Sequence, residues 1–209
     1  MTPKHDIRID RKKLHPWLDY KLTRFLNKCA KQGLYLIITE GFRTVQYQDE
    51  LYAKGRTKPG NKVTNARGRD YSSQHQWGIA FDIAINDPKK LYNDTLMKKA
   101  GYIGKMCGLG WGGDWKSIVD LPHFYLTPWG STTVALKKAY KTPDIFMKTW
   151  HATVIRKKGL NIYKDTSRTE VLTHIPYKTN VDVLFESKQW YAKVRYKDKV
   201  GYIRKAYLK

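Results

Sequence analysis

The sequence is poor in cysteine and in acidic residues, and it has no long apolar run. Its two cysteines, Cys29 and Cys107, form no CxxC pair, which argues against a zinc finger. We expect two buried, reduced thiols, with one disulfide as the alternative. No apolar run approaches the roughly 20 residues of a membrane-spanning helix. The first residues, MTPKHDIRIDRKK, lack the apolar core of a secretory signal. We therefore expect cytoplasmic synthesis and a separate route out of the cell.

The shortage of acidic residues leaves a large positive charge. The chain has 40 basic and 18 acidic residues, a formal charge of +22, and residues 141–209 alone carry 16 basic and 6 acidic ones. Such a field attracts polyanions. Nucleic acid, walls that bear teichoic acid and anionic membranes are all compatible with charge alone. The 41% hydrophobic and 13% aromatic fractions are typical of a globular protein rather than a disordered one.

The first two thirds of the chain mix helical and strand patterns. Apolar spacing and capping residues predict helices over 16–32, 44–54, 94–107 and 131–140, and strands over 34–39, 78–85 and 123–127. A polar loop over 55–73 and a Gly/Trp-rich loop over 108–115 connect them. Long loops inside compact domains are usually functional. These elements predict an α+β fold in which helices flank a small antiparallel sheet.

The pattern changes near residue 145. From His151 onward, short β-type runs alternate with turn residues: HATVI, LNIY, VDVLF, WYAKV and VGYIR. This spacing favours a small all-β barrel of about 60 residues. The prediction is two domains, over residues 1–145 and 146–209.

A candidate metal site lies around Asp82. This carboxylate sits in the apolar strand GIAFDIAI, where it is costly unless it is paired or bound to a metal. His75 lies upstream, with Gly78 between them to allow a tight turn, and His123 opens another strand. Two imidazoles and one carboxylate form the three-ligand set of a catalytic zinc, with a fourth position for water. Taken singly, each residue could instead be an ordinary paired side chain.

Two stretches carry a family resemblance. SQHQWGIAFD, over 73–82, resembles the S-x-H-x-x-G-x-A-x-D motif of the peptidase M15 family, and DLPH, over 120–123, resembles its second motif. That family includes D-Ala-D-Ala carboxypeptidases and dipeptidases and the L-alanyl-D-glutamate endopeptidases of phage lysins and autolysins. Residues 14–17, 40–66 and 108–124 are similar to the endopeptidase subgroup in particular.

The resemblance implies a zinc ion and roles for individual residues. It makes His75, Asp82 and His123 the metal ligands. Asp120 takes the place of the general acid/base, which is usually Glu in the carboxypeptidase relatives; its alternative is a cap on the turn before Pro122. Tyr125 departs from the subgroup, which often has Glu or Gln there, so contacts around the metal ligands are expected to differ.

The resemblance also implies substrate contacts. Arg43 corresponds to the arginine that steadies the oxyanion; its alternative is an ion pair with Glu40 or Asp49. Gln48 and Ser73 correspond to positions near the substrate, although Ser73 could simply shape the turn.

The C-terminal residues resemble a bacterial SH3-type (SH3b) domain. The run WYAKVRY followed by VGYIR is similar to the second half of that family, whereas LNIYKD, over 160–165, departs from its first half. The resemblance implies a wall-binding module that raises the local substrate concentration. An appendage without a ligand is the alternative.

These expectations combine into one function. We expect a zinc-dependent endolysin or autolysin, bacteriolytic and of phage type, that hydrolyses the L-Ala–D-Glu bond of peptidoglycan stems. The expected protein is monomeric, reaches the wall with the help of a holin, has no stable nucleic-acid partner and binds anionic wall polymers through its basic surface. The alternatives are a D-Ala-D-Ala carboxypeptidase or dipeptidase, and a wall- or nucleic-acid-binding protein without turnover.

Overall fold

The computed structural model describes residues 4–186 and 190–209. The chain divides into two compact units, Met1–Pro143 and Asp144–Lys209. In this described part, every helix is too short or too polar to cross a membrane. The functional assignment of residues 1–145 and 146–209 to a peptidase and a wall-binding domain stays a prediction.

The N-terminal unit alternates helices with short strands. Its elements, in order along the chain, are β1 (Asp6–Ile7), α1 (Pro16–Ala30), β2 (Leu36–Glu40), α2 (Val45–Ala53), β3 (Ala80–Ile85), α3 (Asp94–Met106), β4 (Leu109–Trp111), β5 (His123–Leu126) and α4 (Val134–Tyr140). A further short helix, α5 (Pro143–Met147), follows.

Capping residues explain where the first helices begin. Pro16 is the first residue of α1, where its fixed φ suits a helix, and the His15 side chain accepts a hydrogen bond from the Trp17 amide. Thr44 caps α2 by accepting from the Tyr47 amide at 3.1 Å. These caps agree with the predicted helix starts.

The sheet of this unit has five strands in the order β1-β2-β3-β5-β4. The prediction of an antiparallel sheet holds for the pairs β2–β3, β3–β5 and β4–β5, but β1 pairs with β2 in parallel. The Gly/Trp-rich stretch was expected to be a loop throughout; instead Leu109–Trp111 forms β4. Glycine favours a loop in a sequence pattern, but here Gly110 lies opposite Tyr125, whose ring leaves no room for a Cβ.

An aromatic cluster joins α1 to the sheet. The Phe25 ring centroid lies 5.0 Å from that of Phe124 on β5, and the Phe81 and Phe124 rings stack at 5.5 Å across neighbouring strands. All three side chains are fully buried. This core fixes β3 and β5 next to each other, which determines the position of the candidate site.

The C-terminal unit is built of β-strands, as predicted. They are β6 (His151–Thr153), β7 (Leu160–Tyr163), β8 (Val171–Ile175), β9 (Asn180–Glu186), β10 (Tyr191–Tyr196) and β11 (Lys199–Arg204), in the sheet order β6-β9-β10-β11-β7-β8. The sequence pattern missed β8, because its residues show no strict alternation between buried and exposed positions. The SH3-like barrel remains a prediction.

Candidate active site

Two of the predicted metal ligands face each other across neighbouring strands. β3 and β5 pair in antiparallel register, with Asp82 opposite His123. His123 follows a turn in which its amide donates to the Asp120 carbonyl at 3.2 Å. The register therefore places a carboxylate and an imidazole side by side on one face of the sheet.

The third predicted ligand lies on a tight turn just before β3. Residues Gln74–Trp77 form one 3-10 turn, which ends at Gly78 in the left-handed conformation with φ 63°. Residues with a side chain rarely adopt this conformation, so glycine is the natural choice here. The Gly78 amide donates to the His75 carbonyl, and the turn holds the His75 side chain in the interior with 2% of its surface exposed.

The structure brings His75, Asp82 and His123 into one cluster. One ligand atom from each residue lies within 4.8 Å of the others. Oδ1 of Asp82 lies 3.3 Å from Nε2 of His75 and 3.0 Å from Nδ1 of His123. The contact between Asp82 and His123 joins residues that are 41 positions apart in the chain, so folding assembles the cluster.

The electrostatics of the cluster favour an ionised Asp82 carboxylate. Burial raises the pKa of Asp82, but the charges and hydrogen bonds of His75 and His123 outweigh it and hold the pKa well below its ordinary value. Burial lowers the pKa of His75, although Asp82 opposes this shift. A carboxylate oxygen and unprotonated imidazole nitrogens are the forms that bind a metal.

The donor set fits a divalent metal ion. The Nδ1 atom of His75 lies 2.7 Å from the Gly41 carbonyl oxygen. A carbonyl oxygen can only accept, so Nδ1 carries a proton, and Nε2 is the nitrogen that faces the cluster and is available to a metal ion. Imidazole nitrogen together with carboxylate oxygen suits a transition-metal ion better than Mg²⁺ or Ca²⁺.

Arg43 supports the cluster from one side. Its Nη2 donates to Oδ2 of Asp82 at 3.0 Å, its Nη1 donates to Oε1 of Gln48 at 3.3 Å, and its Nε lies 3.4 Å from Oε2 of Glu40. The expected alternative partner Glu40 is therefore present, whereas Asp49 instead accepts from the Gly68 amide. Arg43 holds the Asp82 oxygen that does not face the histidines.

A cleft of about 1120 Å³ opens in front of the cluster. Arg43, Ser73, His75, Asp82, Asp120 and His123 all line it. Burial and the nearby Asp82 charge raise the pKa of Asp120, against the opposing effects of the two histidines and Arg43. Asp120 is therefore the carboxylate of the site that holds a proton more readily than an ordinary aspartate, as an acid/base group must.

Gln48 is placed differently from the other predicted residues. It is fully buried and does not belong to the cleft lining in the described part of the chain. Its amide group donates to Oγ1 of Thr64 at 3.2 Å and to the Ala66 carbonyl at 2.9 Å. These contacts fasten the long polar loop to Arg43, so the geometry favours a supporting role over the predicted substrate contact.

Two residues of the site were not anticipated from the sequence. Gln74 places Oε1 2.8 Å from Nε2 of His123, and Trp115 packs its ring 5.0 Å from that of His123. In the described part of the chain, the buried Nε1 of Trp115 has no hydrogen-bond partner. Tyr125, the predicted departure, lies 5.9 Å from His123 ring to ring. Gln74 fills a variable position of the motif, so the pattern contained no signal for it.

Comparison with known proteins identifies the family. A model of the VanY family, described as D-alanyl-D-alanine carboxypeptidase, matches residues 11–105. The Bacillus subtilis (strain 168) peptidoglycan L-alanyl-D-glutamate endopeptidase CwlK is 38% identical over an alignment of 126 residues, and the match covers 55% of this chain and 74% of that protein. The chain belongs to the VanY family. This confirms the predicted membership of the peptidase M15 family.

Two solved structures show similarity to parts of this chain. The Serratia marcescens L-Ala D-Glu endopeptidase ChiX has a TM-score of 0.43 and 22% identity, and the match covers 56% of this chain and 83% of that one. VanYB in complex with D-Alanine-D-Alanine has a TM-score of 0.43 and 18% identity, with coverage of 65% and 83%. The VanY-family match ends at residue 105, so it includes His75 and Asp82 but not the C-terminal unit. The SH3b interpretation stays a prediction.

Proposed function

We propose that this chain is a zinc-dependent peptidoglycan endopeptidase that hydrolyses the bond between L-Ala and D-Glu in the stem peptide. The observation that carries the proposal is the buried cluster of His75, Asp82 and His123 at the bottom of a large cleft. The identity to CwlK, which bears that activity in its name, supports the choice of bond. Two imidazoles and one carboxylate, with a position left for water, support zinc as the ion.

The residues of the cleft divide the chemistry between them. When bound, zinc would lower the pKa of a water molecule and polarise the scissile carbonyl. The Asp120 carboxylate takes a proton from the attacking water and passes it to the nitrogen of the leaving D-Glu. Arg43 uses one N–H on each of Nη1 and Nη2 for Gln48 and Asp82. A guanidinium has a second N–H on each of these atoms, which can donate to the developing oxyanion.

Ser73 and Trp115 complete the proposed site. Ser73 lies on the cleft wall at the start of the turn that carries His75, where its hydroxyl can meet the peptide. The Trp115 ring lies 5.0 Å from that of His123, tilted by 44°, and lines the same cleft. Shielding from water strengthens the electrostatic contacts inside the site.

Product analysis on purified peptidoglycan tests the proposal. Digestion should create new N-terminal D-Glu, and a chelator should abolish it and added Zn²⁺ restore it. His123→Ala should lose bound zinc and activity together. Lysis that is unaffected by chelators would contradict the metal mechanism, and no released peptide at all would favour a binding protein without turnover.

A D-Ala-D-Ala carboxypeptidase is the second candidate, because the family description names that activity. The same digest separates the two functions, since a carboxypeptidase releases terminal D-Ala and creates no new N-terminal D-Glu.

The origin of the chain as a phage lysin and its release through a holin remain part of the proposal. Both are tested by comparing the lysis of whole cells when the protein is added from outside with the lysis when it is produced inside them.

A further inference from the structure

The side chain of Gln74 is buried against His123. Only 5% of Gln74 is exposed, and its Oε1 lies 2.8 Å from Nε2 of His123. Its Nε2 points to the Gly130 carbonyl oxygen at 3.4 Å. Because a carbonyl oxygen only accepts hydrogen bonds, the NH₂ group of the amide belongs on the Gly130 side and the oxygen on the His123 side.

This orientation determines which nitrogen of His123 carries the proton. The Gln74 oxygen can only accept, so Nε2 of His123 must be the donor. Nδ1, which lies 3.0 Å from Oδ1 of Asp82, is then the ring nitrogen that is available to a metal ion. The Gly41 carbonyl acts in the same way on His75, where it leaves Nε2 facing Asp82. Each imidazole thus has an oxygen acceptor at one ring nitrogen and turns its other nitrogen towards the cluster.

We propose that Gln74 is a positioning residue of the metal centre, which holds His123 in the orientation and tautomer that bind the ion through Nδ1. The inference rests on the proposed zinc site. Oxygen acceptors behind ligating histidines orient the ring and increase its basicity, and their loss weakens metal binding by about 10- to 100-fold. Gln74 therefore acts on the metal through His123 and does not touch the substrate.

Zinc affinity of the full chain, measured by competition with a chromophoric chelator, tests the role. Gln74→Leu removes the acceptor at similar size and should weaken Zn²⁺ binding by about 10- to 100-fold. Gln74→Glu keeps an oxygen acceptor and should bind Zn²⁺ at least as tightly as the natural chain. Gln76→Leu is the matched control: Gln76 is 1% exposed in the same turn, but its side chain contacts Gly68 and Ser73 rather than a ligand.

The ring nitrogens can also be observed directly. In the ¹⁵N spectrum of the zinc-loaded natural chain, His123 should show a protonated Nε2 and a metal-bound Nδ1. Coordination through Nε2 would overturn the inference, as would a Gln74→Leu variant with natural affinity or a Gln74→Glu variant as weak as Gln74→Leu. A natural chain that binds no Zn²⁺ would instead overturn the proposed metal centre, and the role of Gln74 with it.

Discussion

Asp120 and Asp82 line the same cleft, but their surroundings shift their pKa values in opposite directions. Asp82 is fixed by two histidines and by Arg43, and its pKa lies well below the ordinary value. Asp120 has no such ion pairs in the described part of the chain, and its pKa is raised. One carboxylate is thus suited to hold a cation and the other to exchange a proton.

Substitution of Asp120 tests this division. Asp120→Asn should retain zinc and the fold but lose turnover by about 10²- to 10⁴-fold, because an amide cannot take up the proton. Zinc content and kcat on a soluble stem peptide measure both effects. Asp114→Asn is a suitable control, because Asp114 also lines the cleft but is half-exposed and paired with Lys105. Loss of zinc from the Asp120 variant would identify Asp120 as a ligand and refute its proposed role.

The thiol of Cys29 gives a prediction about pH. Cys29 is fully buried, and burial raises its pKa from 9.0 to about 12, with a smaller contribution from Cys107. Above pH 9 the unfolded chain loses this proton while the folded chain keeps it, so its contribution to folding stability falls between pH 9 and 12. Cys29→Ala should show a shallower loss of stability over that range in urea titrations. Identical slopes would contradict the prediction; slow alkylation of native Cys29 at pH 8 would support it.

At the scale of elements, α3 lies close to the strands that carry the site. A Cβ added to Gly104 would lie 2.4 Å from the Phe124 ring, next to His123, and one added to Gly101 would meet the Trp111 ring at the same distance. Glycine is generally unfavourable inside a helix, so at both positions it lowers the helix propensity but allows close packing against the ring. The two glycines set the distance between α3 and the sheet.

Gly104→Ala measures which effect dominates. Alanine should gain up to about 1 kcal/mol of helix propensity, but overpacking against a buried ring should cost about 1–3 kcal/mol. We therefore expect a net loss of unfolding free energy, measured by urea denaturation. Lys98→Ala, at an exposed position of the same helix, should change stability by less than about 0.5 kcal/mol. A more stable Gly104 variant would show that the helix moves away without cost.

At the scale of the whole molecule, the candidate site lies in one unit of the chain, and the second unit is basic. Every residue of the candidate site lies within Met1–Pro143, which has its own sheet. The other unit has its own core, formed by Val154, Leu160, Ile162, Ile175, Val181, Ala192, Val194 and Ile203. A core in each unit is the condition for independent folding.

Truncation tests whether the C-terminal unit binds the wall. A chain of residues 1–145 should fold, bind zinc and cleave a soluble stem peptide like the full chain, but sediment less with purified wall. The isolated residues 146–209 should sediment with wall, less strongly at high salt because their charge is positive. Equal wall binding by the truncated and full chains would contradict the predicted wall-binding domain.

The sequence by itself determined the residues of the candidate metal site and most of the secondary-structure elements. The ligands of that cluster follow a local motif and a strand pattern, and helix starts such as Thr44 depend on neighbours a few residues away. The spacing of apolar residues and the choice of capping residues are local features, so the sequence pattern alone can predict the elements that depend on them. The resemblance supplied the roles of Asp120 and Arg43, which stay proposals.

The tertiary structure alone decided the contacts around that cluster. Gln74 meets His123 across 49 positions, Gln48 turns away from the cleft to hold Ala66, and β1 joins the sheet in parallel. Such contacts depend on where distant segments of the chain pack, so the local pattern of apolar residues does not predict them. The sequence therefore determined which residues form the candidate metal site, and the fold determined which nitrogen of each histidine faces Asp82.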